Sequence, residues 1–139
     1  VNVALGTDGA ASNNNLNMFN EMRSAALLAK LYSLDASAVS AEKALSMATI
    51  NGARALGMEE SLGSLEVGKL ADMIAVDMSG PETQPLYNPL SQLVYASNGG
   101  QVSHSWINGK LALRDRELVN TELAGVIQRA RSWQHRIGK

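Results

Sequence analysis

The sequence contains no cysteine. That excludes a disulfide framework, a thiolate metal site and a cysteine nucleophile. Aromatic residues make up 4% of the 139 positions, which leaves few platforms on which nucleobases could stack. Acidic and basic residues nearly cancel, for a net charge of −1, so there is no basic footprint for nucleic acid. No run of about 18 apolar residues occurs, and no membrane partner is expected. The first residue is not Met, and no charged segment precedes the apolar opening, so no secretory signal is expected either. The expectation is a cytoplasmic chain, excised from something longer or a processed product. Histidine is scarce too: His104 and His135 are the only two.

Hydrophobic residues make up 45%, enough for one domain with a sizeable core. The chain is organised around its opening stretch, VNVALGTDGAASNNN. Val1 to Leu5 is a short apolar run, expected to be a strand. It stops at Gly6-Thr7 and then presents Asp8, with Gly9, Ala10, Ala11 and Ser12 following. An α/β fold delivers a functional carboxylate in this way, at the C-terminal end of a strand. Glycine on both sides lets other groups approach it closely. The same spacing also suits an ordinary strand-to-helix turn, where Asp, Ser and Asn cap helices.

Apolar residues at three- and four-residue steps (Leu16, Phe19, Met22, Ala26, Leu27 and Leu31) predict an amphipathic helix over 16–34. Ser12 to Asn15 offer N-caps, and Lys30 lies in the last turn. A second helix is expected near Ser40, buried through Ala44, Leu45, Met47 and Ala48. A short turn of helix at 53–56 should end on Gly57. The character then changes, with a boundary expected between Gly57 and Gly63. Ala71 to Asp77 reads as a strand, and Leu90 to Ser97 holds an apolar run. Val102 to Ile107 and Lys110 to Leu113 flank Asn108-Gly109, the strongest short hairpin signal, and Asp115-Arg116 opens another turn. A terminal helix from Thr121 carries Leu123, Val126, Ile127, Ala130 and Trp133 as its apolar stripe. The order is one strand, several helices, about four strands, then a helix. The opening strand has no local partner, so Val1 to Leu5 is expected to pair with strands outside this chain or in another copy.

Four segments, GTDGAASNN, ATINGARALG, LGSLEVGKLADMIAVD and SHSWINGKLAL, together resemble the metal-dependent amidohydrolase superfamily, and within it the 5′-methylthioadenosine/S-adenosylhomocysteine deaminase branch. The resemblance implies an α/β fold: the C-terminal fragment of a (β/α)8 barrel, comprising its last strand and following helices, plus the C-terminal part of a β-sandwich and a terminal helix. Residues 1–58 would belong to the barrel and 59–139 to the sandwich. Asp8 matches the aspartate that binds the metal and exchanges a proton with the attacking water. Gly9 and Ser12 match positions lining the substrate pocket. The implied cofactor of the complete enzyme is a divalent metal, zinc, and the implied partners are a small nucleoside-type substrate and further copies of the chain.

The departures are as informative. The family's His-x-His pair, its later histidines and its proton-transferring glutamate are absent from this sequence. His104 reads as an alternating strand residue and His135 as helix surface. Asp72 and Asp77 read as turn formers at a strand's ends. A catalytic zinc takes three protein ligands, and Asp8 is one. Three readings stay open: a deaminase portion inert alone, a portion of a different amidohydrolase such as a chlorohydrolase or guanine-type deaminase, or a non-enzymatic assembly module.

Overall fold

The computed structural model describes residues 1–138. Three helices open the regular structure: α1 (Met18–Ser33), α2 (Ala41–Ala48) and α3 (Ile50–Ala55). Then come β1 (Met73–Val76), α4 (Pro89–Tyr95), β2 (Val102–Ile107), β3 (Lys110–Arg114), β4 (Glu117–Leu118) and α5 (Leu123–Ile137). The strands form one antiparallel sheet in the order β1-β2-β3-β4.

Local chemistry sets the helix limits. Asn17, not the Ser12–Asn15 run, caps α1: its Oδ1 accepts the Phe19 N–H at 3.0 Å. The helix stops at Leu34, which takes the left-handed conformation at φ 53°. Lys30 then reaches past the helix end to donate to the carbonyls of Ala38 and Val39 at 2.6 and 2.8 Å. Ser40 caps α2 through its hydroxyl, and Thr49 separates α2 from α3 with non-helical backbone at φ −130° and ψ −98°, its hydroxyl donating to the Leu45 carbonyl at 2.7 Å. Gly57 follows α3 at φ 66°, the glycine-favoured conformation at a helix end.

The apolar run at 90–97 is a helix. Asn88 caps it by accepting the Ser91 N–H, and Pro89 occupies the first turn, where its missing N–H costs nothing. α4 buries Val94 completely against Phe19, Met22 and Ala26 of α1 and Ala41 and Ala44 of α2. Val76 and Val102 bring β1 and β2 to the same core. Arg23 fixes the far end of α4, donating from Nη2 to the Ser97 carbonyl at 2.7 Å.

Both predicted turns form between strands. Asn108 and Gly109 sit at φ 49° and 71°, and Asp115 and Arg116 at 49° and 69°. Positive φ at both central residues matches the right-handed twist of paired strands.

Val1 to Leu5 pairs with no strand among the described residues, as its lack of a local partner implied: the sheet lies elsewhere and offers it no edge. Its polar groups bond instead to helices: the Leu5 N–H to the Met47 carbonyl at 2.9 Å, and the Val3 carbonyl to the Asn51 side chain at 3.0 Å. The α1 stripe is also narrower than its spacing implied. Phe19, Met22 and Ala26 are buried, whereas Leu16, Leu27 and Leu31 are exposed. The apolar stripe of α5 is exposed as well, and no residue of that helix is buried. Among the described residues no helix is long and apolar enough to cross a membrane.

Candidate functional site

Asp8 lies in the loop between the opening residues and α1, exposed, with its backbone left-handed at φ 57°. Its Oδ1 accepts the next N–H, that of Gly9, at 2.6 Å. The Gly9 carbonyl then accepts the N–H groups of Ser12 at 3.0 Å and Asn13 at 2.9 Å. The three sequence-predicted residues are thereby drawn into one tight turn. A Cβ at Gly6 or at Gly9 would meet open space, and Asp8 itself is exposed.

The loop is held from below by Asn13, which is half-buried. Its Nδ2 donates to the Thr7 carbonyl at 2.9 Å and to Glu21 Oε1 at 2.8 Å, and its Oδ1 accepts the Asn15 N–H at 3.0 Å. Nothing in the sequence pattern singled out Asn13 over its amide neighbours, or Glu21 from a helix-dipole residue.

Asp8 fits a metal as one oxygen donor, but the rest of a ligand set is not here. Among the described residues no three His, Asp or Glu side chains converge where a metal ion could sit. His104 lies in β2, stacked on Trp106 with ring centroids 5.6 Å apart, and its Nε2 is 3.8 Å from Asp115 Oδ1. His135 lies in the last turn of α5. Asp72 accepts the Asn108 N–H at the hairpin turn. Asp77 accepts both the N–H and the hydroxyl of Ser79, at 3.0 and 2.6 Å, and these bonds, with Arg116, hold its carboxyl at about 2. Both aspartates are engaged in turns.

An apolar cavity lies apart from this loop. It has a volume of about 700 Å³ between α1–α3 and the β1–β2 face. Phe19, Met22, Leu62, Ile74 and Trp106 line it, and Asp8 does not. Its apolar lining suits packing better than proton transfer.

Three comparisons bear on this geometry. The model of the amidohydrolase family matches residues 1–112. A 5-methylthioadenosine/S-adenosylhomocysteine deaminase of Teredinibacter turnerae is 51% identical over 138 residues, covering 99% of this chain and 31% of that protein. A crystal structure of an adenosine deaminase from Xanthomonas campestris with bound zinc superimposes with a TM-score of 0.96 at 52% identity, over 99% of this chain and 31% of that one. A triazine hydrolase variant superimposes with a TM-score of 0.85 at 27% identity, over 95% and 29% respectively. The chain thus spans about a third of the length of the relatives it matches.

Proposed function

The chain belongs to the amidohydrolase family, and from that premise we propose that it forms the C-terminal part of a metal-dependent deaminase of adenosine-type nucleosides, 5′-methylthioadenosine and S-adenosylhomocysteine. The observation that carries this reading is the 51% identity across 99% of the chain to a relative bearing that name. The second reading, a hydrolase of triazine-like rings, has support from the triazine hydrolase fold at 27% identity.

In the proposal, residues 1–58 belong to the catalytic barrel and 59–139 to the sandwich; all four strands of the sheet fall after residue 58. Asp8 is one oxygen ligand of a zinc ion whose other ligands come from outside this chain. A divalent metal, when bound, makes its water acidic enough to ionise near neutral pH. Beside such a metal, Asp8 would accept a proton from the water and deliver one toward the departing amine. Replacing an amino group on a purine ring needs both transfers, since the amino group leaves as ammonia only after it gains a proton. Gly9 and Ser12 border the substrate; the open space at the Gly9 Cβ position supports this placement. The described residues alone hold no converging ligand set, and on this reading the chain by itself is inactive.

The test is steady-state kinetics of the complete protein on 5′-methylthioadenosine, S-adenosylhomocysteine, guanine and a chlorotriazine, with Asp8→Asn alongside. Turnover of the two adenosine-type substrates, nearly abolished in Asp8→Asn, is expected. Preferential turnover of guanine or the triazine selects the second class of reading. An Asp8→Asn enzyme within a few-fold of the parent rejects the role of Asp8.

A further inference from the structure

We propose that Asn13 is a positioning residue for Asp8, acting through the carbonyl of Thr7 and anchored by Glu21. The proposal rests on the reading of Asp8 given above.

Asp8 occupies a left-handed backbone conformation, φ 57°, which aspartate adopts more readily than most residues and which the bonds on either side of it hold in place. The peptide on its N-terminal side is held by Asn13, whose Nδ2 donates to the Thr7 carbonyl at 2.9 Å. The peptide on its C-terminal side is held by Asp8 itself, through the Gly9 N–H at 2.6 Å. Gly9 is tied back in turn, its carbonyl accepting the Asn13 N–H at 2.9 Å. Asn13 therefore grips both flanks of Asp8, one with its side chain and one with its backbone.

A carboxamide suits this place for a chemical reason. Its nitrogen carries two hydrogens, which serve two acceptors at once, and its oxygen still accepts a third bond. Here the two acceptors are the Thr7 carbonyl and Glu21 Oε1, and the third bond comes from the Asn15 N–H. An aspartate at 13 would lose both donors and set its charge against Glu21. Glu21 belongs to the first turn of α1, so its bond to Asn13 ties the loop to a rigid element. Removing such outer support for a functional ligand typically costs about 10- to 100-fold in metal affinity or activity.

The experiment compares Asn13→Ala, Glu21→Ala and Glu21→Gln in the complete enzyme, with Asp8→Asn as reference. Glutamine keeps an oxygen that accepts from Asn13; alanine does not. The expected result is a kcat lowered about 10- to 100-fold in Asn13→Ala and Glu21→Ala, with KM little changed. Zinc affinity, measured by chelator competition, should fall alongside, and Glu21→Gln should recover most of the loss. In the complete enzyme, Asn13→Ala should also move the Gly9 amide proton upfield as the bond to Asp8 loosens. Parent-like kcat and zinc affinity in Asn13→Ala, with Asp8→Asn inactive, overturn the role of Asn13 and leave that of Asp8 standing. An active Asp8→Asn overturns both. Should Asn13→Ala fail to fold, equal kcat in Glu21→Ala and Glu21→Gln overturns the proposal.

Discussion

Arg116 reaches back across 39 residues to Asp77, donating from Nη2 to Oδ2 at 2.9 Å. Its Nε also donates to the Gly100 carbonyl at 3.1 Å and its backbone N–H to the Ser103 carbonyl at 3.0 Å. One residue in a left-handed turn position thus ties the β3–β4 turn to the end of β1 and to the segment entering β2. An arginine with positive φ is costly, and these three bonds are what hold it there.

Asp77 reports on this arrangement through its titration. The Ser79 hydroxyl and N–H, then Arg116, bring its carboxyl from 3.8 to about 2 in the folded chain. The folded form therefore holds its proton less tightly than the unfolded form. The stability from Asp77 is complete above its ordinary value of 3.8 and is lost as pH falls through about 2. The Asp77 side-chain carboxyl carbon, followed by NMR, should titrate with a midpoint near 2. Acid unfolding of Asp77→Asn should be less steep between those pH values. A midpoint at the ordinary 3.8 in the parent would show the bonds absent in solution.

Gly63 and Gly68 separate conformational freedom from space. Both have positive φ, 88° and 97°. A Cβ on Gly68 meets nothing, whereas one on Gly63 would lie 2.7 Å from the Ile50 Cα and 2.8 Å from the Ala53 Cβ. Gly68→Ala should cost about 1–2 kcal/mol, the left-handed penalty alone. Gly63→Ala should cost clearly more, because α3 must shift to admit it. Urea melts of the two variants decide; equal midpoints would mean the Gly63 contact relaxes freely.

Metal content gives a third prediction. Asp8 stands without a converging ligand set among the described residues, so the purified chain should retain no stoichiometric zinc after dialysis. Elemental analysis checks this. One equivalent of zinc per chain, lost in Asp8→Ala, would mean that several copies assemble the missing ligands.

Self-association is the fourth. Val1, Leu28, Leu31, Tyr32 and Leu34 are all exposed, and Leu28, Leu31 and Tyr32 cluster on one side of α1. Apolar patches of this kind usually mark an interface or an aggregation liability. Light scattering over a concentration series should show mass rising with concentration, and Leu31→Lys should lower it. A mass fixed at the monomer value throughout would reject the expectation.

Local chemistry was legible in the sequence; partnership was not. Asn108-Gly109 announced its turn because both residues tolerate positive φ, whereas Asp115-Arg116 read as a turn only by its polarity, its arginine being held at φ 69° by bonds to distant chain. Ser40 and Gly57 marked helix limits for similarly local reasons. The loop carrying Asp8 was legible as a Gly-flanked acid, and the structure gathers Asp8, Gly9 and Ser12 into one turn. Val1 to Leu5 read as a strand because its residues suit one, but a strand exists only where an edge accepts it. The run at 90–97 was too short for its periodicity to decide, although Asn88 followed by Pro89 was a helix-start signal. Leu27 and Leu31 fit the spacing of the α1 stripe, yet what covers a helix face is a property of distant chain. The bond from Asn13 to Glu21 likewise depends on how the loop folds back on α1, which no local pattern encodes.

The two left-handed turns also carry a kinetic consequence. They join β2 to β3 and β3 to β4 through two residues each, whereas residues 77–101 separate β1 from β2. Closing a short hairpin takes about 1–10 μs, while the longer loop carries a larger closure entropy that must be met before its contacts form. The β2–β4 meander should therefore zip first and wait as a three-stranded template. β1 should join later, since its pairing with β2 closes the longer 77–101 connection. Arg116, which reaches from the second of these turns to the end of β1, then acts as a latch that closes late, slowing unfolding more than it speeds folding.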